Sequence, residues 1–420
     1  MMQKLKKFDK FVAIERDVTK KQARIYNSRI GVMKEWKKRE MQLYLYKDGR
    51  LMNVSIENPD NKKIEETIKK AENIMKHLPE TSFELGKNGN YINKKYFDKN
   101  VLNDEKIIDK VEKAINYADA EEVAGILYSQ VEKIRLLSPF IEIEDNNSMS
   151  YLSIRIFNGV SSHAISCSRK IEGIKEKVVM EAKEMVKMAR KEKNVKEGRY
   201  DVLFAPLAFS NLIYYFGIFS SAFSVDAGYS FLANKIGKKI ASDKLSIYDS
   251  GIEKDGLFSI KFDEEGVATR KTVIVENGVL KNYLHNSTTA ARYKTQTTGN
   301  AGIISPHPWN IMVKAGEYNL EEILHEMKEG LLITNVWYTR FHNYRNGDFS
   351  TISRDVAFYI KNGEIQYTVK GARISDNLER ILKNIVALSK ERKQIYWWEV
   401  ENPVFAPYAL AKDIRITTSF

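Results

Sequence analysis

The chain is poor in the residues that usually build redox or metal chemistry. One cysteine, Cys167, stands in 420 residues. It excludes an intrachain disulfide and every multi-cysteine metal site, and it agrees with a reducing compartment. Histidine is scarce, with six, and proline numbers only eight. No apolar run approaches the roughly 20 residues that a membrane-spanning helix needs. Behind the basic residues of 1–10 there is neither an apolar core segment nor a small-residue cleavage site, so no secretory signal is legible and a cytoplasmic location is expected. The net charge of +12 is not clustered. Lysines alternate with glutamates, as across 170–196, in the manner of a solvated helix face, and no nucleic-acid recognition motif accompanies them.

What is present is a globular composition, 43% hydrophobic and 29% charged. The length exceeds the ~250–300 residues at which a single core stops growing. Two domains are therefore expected, in an α+β arrangement: an antiparallel sheet with packed helices over 1–195, then a strand-rich domain with hairpins and a few helices over 196–420. The boundary is placed where the charged stretch 191–199 gives way to an apolar strand at 200–205.

Local patterns fill in the first half. Leu43 to Tyr46 reads as a strand entering a hairpin at Asp48-Gly49. Asp60 caps a helix whose apolar residues Ile64, Ile68, Ala71, Ile74, Met75 and Leu78 recur at three and four, and Pro79 stops it. A second amphipathic helix carries Ile107, Ile108, Val111, Ala114, Ile115 and Ala118 on one face. Strand-period alternation over 140–143 and again over 151–157 leads through Asn158-Gly159 into a strand over 160–168, and 171–190 reads as one long helix. In the second half, Asn277-Gly278 and Asn362-Gly363 signal hairpins. Asn319 with Glu322 reads as a capping box whose helix Gly330 closes, and Asp376 with Glu379 as another opening a helix over 378–388.

Several ordered segments of the second half carry a family resemblance. They are Phe262-Asp263-Glu264-Glu265-Gly266 and its continuation to 285, Thr298-Gly299-Asn300-Ala301, Gly330-Leu331-Leu332-Ile333-Thr334, Gly347-Asp348-Phe349-Ser350, Asn362-Gly363-Glu364-Ile365, and Asn377-Leu378-Glu379-Arg380-Ile381. In this order they resemble the TldD/TldE protease family, which includes proteins called PmbA or modulators of DNA gyrase. The resemblance implies a two-domain cytoplasmic protein that dimerises, with itself or with a TldD-like subunit, in a system that degrades unfolded peptides. It also implies that zinc belongs to the TldD subunit, held by a His-Glu-x-x-x-His helix and a cysteine near the C-terminus.

The matching helix here should lie within 211–228, a window without one His or Glu, and 385–420 contains neither Cys nor His. Zinc needs converging nitrogen, sulfur or oxygen ligands and a base for its water. Ser220-Ser221-Ala222-Phe223-Ser224 instead resembles the TldE-like replacement of that segment. The expectation is thus a TldE/PmbA-like accessory subunit with no catalytic, cofactor or metal residues of its own, zinc being expected only in a TldD-like partner. The alternatives are a homodimeric protein that binds peptides or a partner without proteolysis, and a nucleic-acid- or gyrase-associated modulator.

Other candidates have plainer readings. His325 and Glu329 fall four apart, but a zincin helix needs His where Glu329 stands. His285 is expected at a hairpin end, His307 between two prolines, and His342 in a loop beside Arg340 and Arg345. Cys167 reads as a core filler. Gly347, Asp348, Phe349 and Ser350, with Asn300, are the candidates for contact with a peptide backbone; the plainer reading of 347–350 is an Asx-stabilised turn. Tyr396, Trp397 and Trp398 are expected to cover a domain or subunit seam.

Overall fold

The computed structural model describes residues 2–86, 89–92 and 97–418. Six antiparallel strands, β1 (Lys10–Tyr26), β2 (Arg29–Lys47), β3 (Arg50–Glu57), β4 (Glu122–Leu137), β5 (Glu142–Asn158) and β6 (Val160–Ser168), form the first sheet in the order β3-β2-β1-β4-β5-β6. After the short α1 (Met2–Leu5), helix α2 (Asn61–Met75) buries Ile64, Ile68, Ala71 and Met75 against β1 to β3. Helix α3 (Asp104–Ala118) does the same at the other end of the sheet with Ile107, Val111, Ala114 and Ala118. Asp60 accepts from the Lys63 amide at 2.8 Å and Asn103 from the Lys106 amide at 2.9 Å, each satisfying an otherwise orphaned donor.

The segment 171–190 is not one helix. Short 3-10 turns at Ile171–Gly173 and Glu176–Val178 precede α4 (Val179–Lys187). The chain is held against β6 here: a Cβ at Gly173 would meet Ser168 Oγ at 2.1 Å, and the Lys175 amide donates to Ser166 Oγ at 2.8 Å. Those contacts override the helical period.

The second sheet holds β7 (Glu192–Asn194), β8 (Gly198–Phe204), β9 (Ile247–Ser250), β10 (Lys271–Glu276), β11 (Val279–Leu280), β12 (Ile311–Val313), β13 (Glu329–Asn343), β14 (Asp348–Lys361), β15 (Glu364–Lys370), β16 (Ala372–Asn377), β17 (Ile385–Trp397) and β18 (Val400–Thr418). Its main path runs β11-β10-β9-β12-β18-β8-β13-β14-β15-β7, and β17 pairs with β18. Because β16 pairs with both β14 and β18, the strands β18, β8, β13, β14 and β16 close into a ring. Its helices are α5 (Pro206–Phe219), α6 (Ala222–Asp226), α7 (Ser287–Arg292), α8 (Leu320–Glu326) and α9 (Leu378–Lys383). The two sheets and their helices make a two-domain α+β fold.

Two capping readings need correction. Asn319 and Glu322 form the expected box on α8, but α8 stops at Glu326 and Gly330 lies within β13, where a Cβ would strike the Asp201 carbonyl at 2.2 Å. At α9 the cap is Asn377, which accepts from the Arg380 amide at 3.0 Å, while the Asp376 carboxylate takes the Arg380 guanidinium. That helix ends at Lys383 because 385–397 is drawn into β17 by pairing with β18. His342, expected in a loop, belongs to β13.

A shared core joins the domains. Val12, Ile14, Tyr44, Ile134 and Leu136 of the first sheet pack against Ile260, Phe262, Ile303 and Trp309. Tyr396 stacks edge-on to Tyr151 at 5.2 Å, and Trp397 meets the His163 ring at 4.8 Å, so these two rings do cover the seam. Trp398, by contrast, is 60% exposed.

Candidate functional site

Helix α5 is apolar on nearly every side, with eleven of fourteen residues buried, and Pro206 opens it at a position where no intrahelical hydrogen bond is lost. It lies across β13 and β18, and its few polar groups meet them. Asn211 is fully buried: its Nδ2 donates to the Glu399 carbonyl at 3.0 Å, and its Oδ1 accepts from Thr339 Oγ1 at 2.6 Å. Tyr215 donates to the Thr339 carbonyl at 3.3 Å and Tyr214 to Glu401 at 3.4 Å.

The turn between β17 and β18 brings Glu399 to the same place. Its carboxylate accepts from the Tyr338 amide at 3.2 Å, and burial pushes its pKa up against the pull of that donor and of Arg340 and Arg354. Sequence reasoning missed Glu399 and Glu401, which reach α5 from 188 and 187 residues away. Nothing local marks them; only the β17–β18 pairing does.

Opposite, β13 is bulged between Trp337 and Arg340, leaving Tyr338 with a positive φ of 58° and its ring exposed. Such a conformation is strained for an aromatic residue and is found where surrounding structure holds it. The Arg340 guanidinium covers the Tyr338 ring at 4.3 Å.

The peptide-contact candidates fall into two separate networks. Gly347, with φ of 83°, presses on the Phe231 ring, and Phe349 is fully buried against Phe341, which in turn packs on Tyr215 and Phe219 of α5. Asp348 accepts from Asn377 Nδ2 at 2.8 Å, and Ser350 pairs in register with Ser375 of β16. Asn300 is elsewhere: buried, it donates to Asp249 at 2.6 Å and to the His307 carbonyl at 3.0 Å. Burial pushes Asp249 up to about 7, although four donors oppose it.

A cavity of about 240 Å³ lies near that second network, between the domains. Arg16 enters it from β1 and pairs with Glu264 at 2.8 Å and with Glu132 at 3.5 Å. Burial opposes the Arg16 charge, but the two carboxylates outweigh it and raise its pKa; Glu132 is raised too, because its burial outweighs the more distant Arg16. His307 lines the same space against Trp309, and burial pushes its imidazole down. The 263–265 motif thus works structurally on both sides. Glu264 holds Arg16, while Asp263 accepts from the amides of Glu265, Val267 and Ala301 at 2.9–3.0 Å. Both Asp263 and Glu265 are pushed up, chiefly by burial.

Residues 197–418 match the model of the PmbA/TldA metallopeptidase C-terminal domain. The chain belongs to the PmbA/TldD family. It is 35% identical over 192 residues to the metalloprotease PmbA homolog of Buchnera aphidicola, 44% of this chain and 42% of that one. It is 34% identical over 194 residues to metalloprotease PmbA of Escherichia coli O157:H7, 44% and 41% respectively. These matches span less than half the length of either relative. The crystal structure of TldE from Thermococcus kodakarensis shares the fold, with a TM-score of 0.88 at 22% identity over 99% of this chain and 98% of that one. A Thermotoga maritima structure described as a modulator of a DNA gyrase gives 0.85 at 25% identity over 97% and 96%.

The family's zinc can be tested against the residues at α5. The helix offers an amide, Asn211, already committed on both sides, and two phenols; the one buried carboxylate beside it, Glu399, is engaged by a backbone amide. No imidazole or thiolate joins them, and the described residues hold no group of three or more His, Cys, Asp or Glu able to grip a metal ion. This donor set does not fit a tetrahedral zinc site. Among the described residues, no helix is long and apolar enough to cross a membrane.

Proposed function

We propose that this chain is the TldE/PmbA-like subunit of a two-component cytoplasmic metalloprotease system acting on unfolded peptides, and that hydrolysis belongs to a TldD-like partner. The donor set at α5 carries the reading: where a hydrolytic centre needs three ligands and a base, the helix supplies Asn211, Tyr214 and Tyr215, tied to β13, to β18 and to the β17–β18 turn. Whole-chain similarity to a TldE fold supports the same assignment. The role of the subunit is then to complete a dimer and to enclose the partner's chamber so that only extended chains enter.

The test is to purify the chain alone and together with a TldD-like subunit, measuring zinc per polypeptide and cleavage of an unfolded peptide. Zinc and cleavage are expected only in the mixture. Equal zinc and equal cleavage by the lone chain refute the division of labour. A second reading, a peptide-binding protein without proteolysis, draws support from the exposed rings of Tyr338 and Trp398 beside α5. It predicts intact peptide retained by the lone chain and no gain of cleavage on mixing.

A further inference from the structure

One guanidinium of the second domain is held by aromatic rings, with a buried nitrogen that meets no hydrogen-bond acceptor among the described residues. Arg354 of β14 lies with its guanidinium 4.6 Å from the Trp337 ring, 5.6 Å from Trp398 and 6.0 Å from Trp397. Its Nη1 is buried and makes no hydrogen bond to a described residue, and the Trp397 indole nitrogen beside it is also a buried donor without a partner. Two buried donors without a described partner, on side chains 6.0 Å apart, are costly at ~1–3 kcal/mol each unless an acceptor visits them. Burial pushes the Arg354 pKa down, with Arg155 adding to the effect and Asp355 and Glu399 only partly opposing it.

We infer that Arg354 and the Trp397 indole form a carboxylate-binding site, walled by Trp337 and Trp398, for the C-terminal carboxylate of an extended peptide. A guanidinium held among indole faces presents its N–H groups edgewise, which matches the two oxygens of a planar carboxylate. The charge balance selects a monoanion. Glu399 stands close enough to oppose a second negative charge, and Arg155 is already spent on Asp355. The exposed Trp398 ring offers an apolar surface for the last side chain of such a peptide. The choice of a peptide as bearer of the carboxylate rests on the peptide-handling function proposed above; the anion site itself does not.

The experiment uses the purified full chain and a fluorescein-labelled hexapeptide of alanine and leucine, made with a free C-terminal carboxylate and as the C-terminal amide, read by anisotropy. The free acid is expected to bind at least about tenfold more tightly than the amide, the size of one charge-assisted hydrogen bond. Arg354→Gln should abolish that preference and Arg354→Lys should keep part of it. Should Arg354→Gln not fold, Trp398→Ala, at an exposed position, must weaken the free acid several-fold. Equal binding of acid and amide, or an unchanged preference in Arg354→Gln, overturns the inference. So does displacement of the peptide by inorganic phosphate at lower concentration than by acetate. Chromatography of the same mixtures reads a different question: cleavage by the lone chain would refute the accessory role and leave the anion site standing.

Discussion

Arg354 and Asp355 are adjacent in β14, yet the two regions they face treat charge in opposite ways. Asp355 turns toward the first sheet, where its fully buried carboxylate accepts from Arg155, from Ser161 Oγ at 2.8 Å and from Asn335 Nδ2 at 2.8 Å. Those donors hold its pKa down although burial pushes the other way. Asp355 takes a positive φ of 66° to reach them, within the stretch where the β13–β14 register slips. Arg354 turns toward the indoles, and its buried Nη1 finds no acceptor among the described residues. A buried charge with all its partners is a structural joint; a half-satisfied one beside exposed rings is a place for a ligand.

That contrast can be broken in several ways. Arg155→Ala leaves Asp355 buried and uncompensated, and should destabilise the chain by ~3–5 kcal/mol in denaturant unfolding. Arg354→Gln in the same assay should stay within about 1 kcal/mol, since no partner is orphaned. If the two losses are alike, the distinction between joint and ligand site fails.

His163 sharpens the joint. It hydrogen-bonds Ser153 Oγ at 2.8 Å and packs on Trp397, and burial pushes its pKa down to about 3 despite Asp355. The unfolded imidazole, near 6.5, takes up a proton first. Stability is therefore fully present above about pH 6.5 and lost as pH falls from there toward 3, by up to ~1.4 kcal/mol per unit. Unfolding measured across that window should be steeper for the native chain than for His163→Gln; parallel curves would show that His163 is not the sensor.

Asn211→Ala tests the other seam, between α5 and the β17–β18 turn. It strips the Glu399 carbonyl and Thr339 Oγ1 of a partner, and a loss of ~1–3 kcal/mol is expected. Trp398→Ala should be the mildest change, within ~0.5 kcal/mol in stability, because an exposed ring contributes little to folding. A large loss there would mean that Trp398 belongs to the joint after all.

Much of the fold was legible because its signals are local. The α2 and α3 faces, the caps at Asp60 and Asn319, and the hairpins at Asp48-Gly49, Asn158-Gly159 and Asn362-Gly363 each follow from residues within one turn of one another. Strand β1 and the part of β2 before Leu43 carry no such signal. Their charged outer halves, such as 34–39, are exposed, so the apolar alternation that marks a half-buried strand is missing. The segment 171–190 shows the converse: its period is helical throughout, but contact with β6 fixes a different backbone before Val179.

By itself the sequence determined the α+β class, the family and the lack of His and Glu in 211–228 and of His and Cys in 385–420, all of which depend on residue type and short spacing. Only the tertiary structure decided that Glu399 and Glu401 meet α5, that Arg155 and Asp355 lock the sheets together, and that Arg354 lies among three indoles with a buried nitrogen that no described residue satisfies. The physical reason is the same in each case. Burial sets the worth of a charge and of its partners, and burial is created by strands that pair across hundreds of residues.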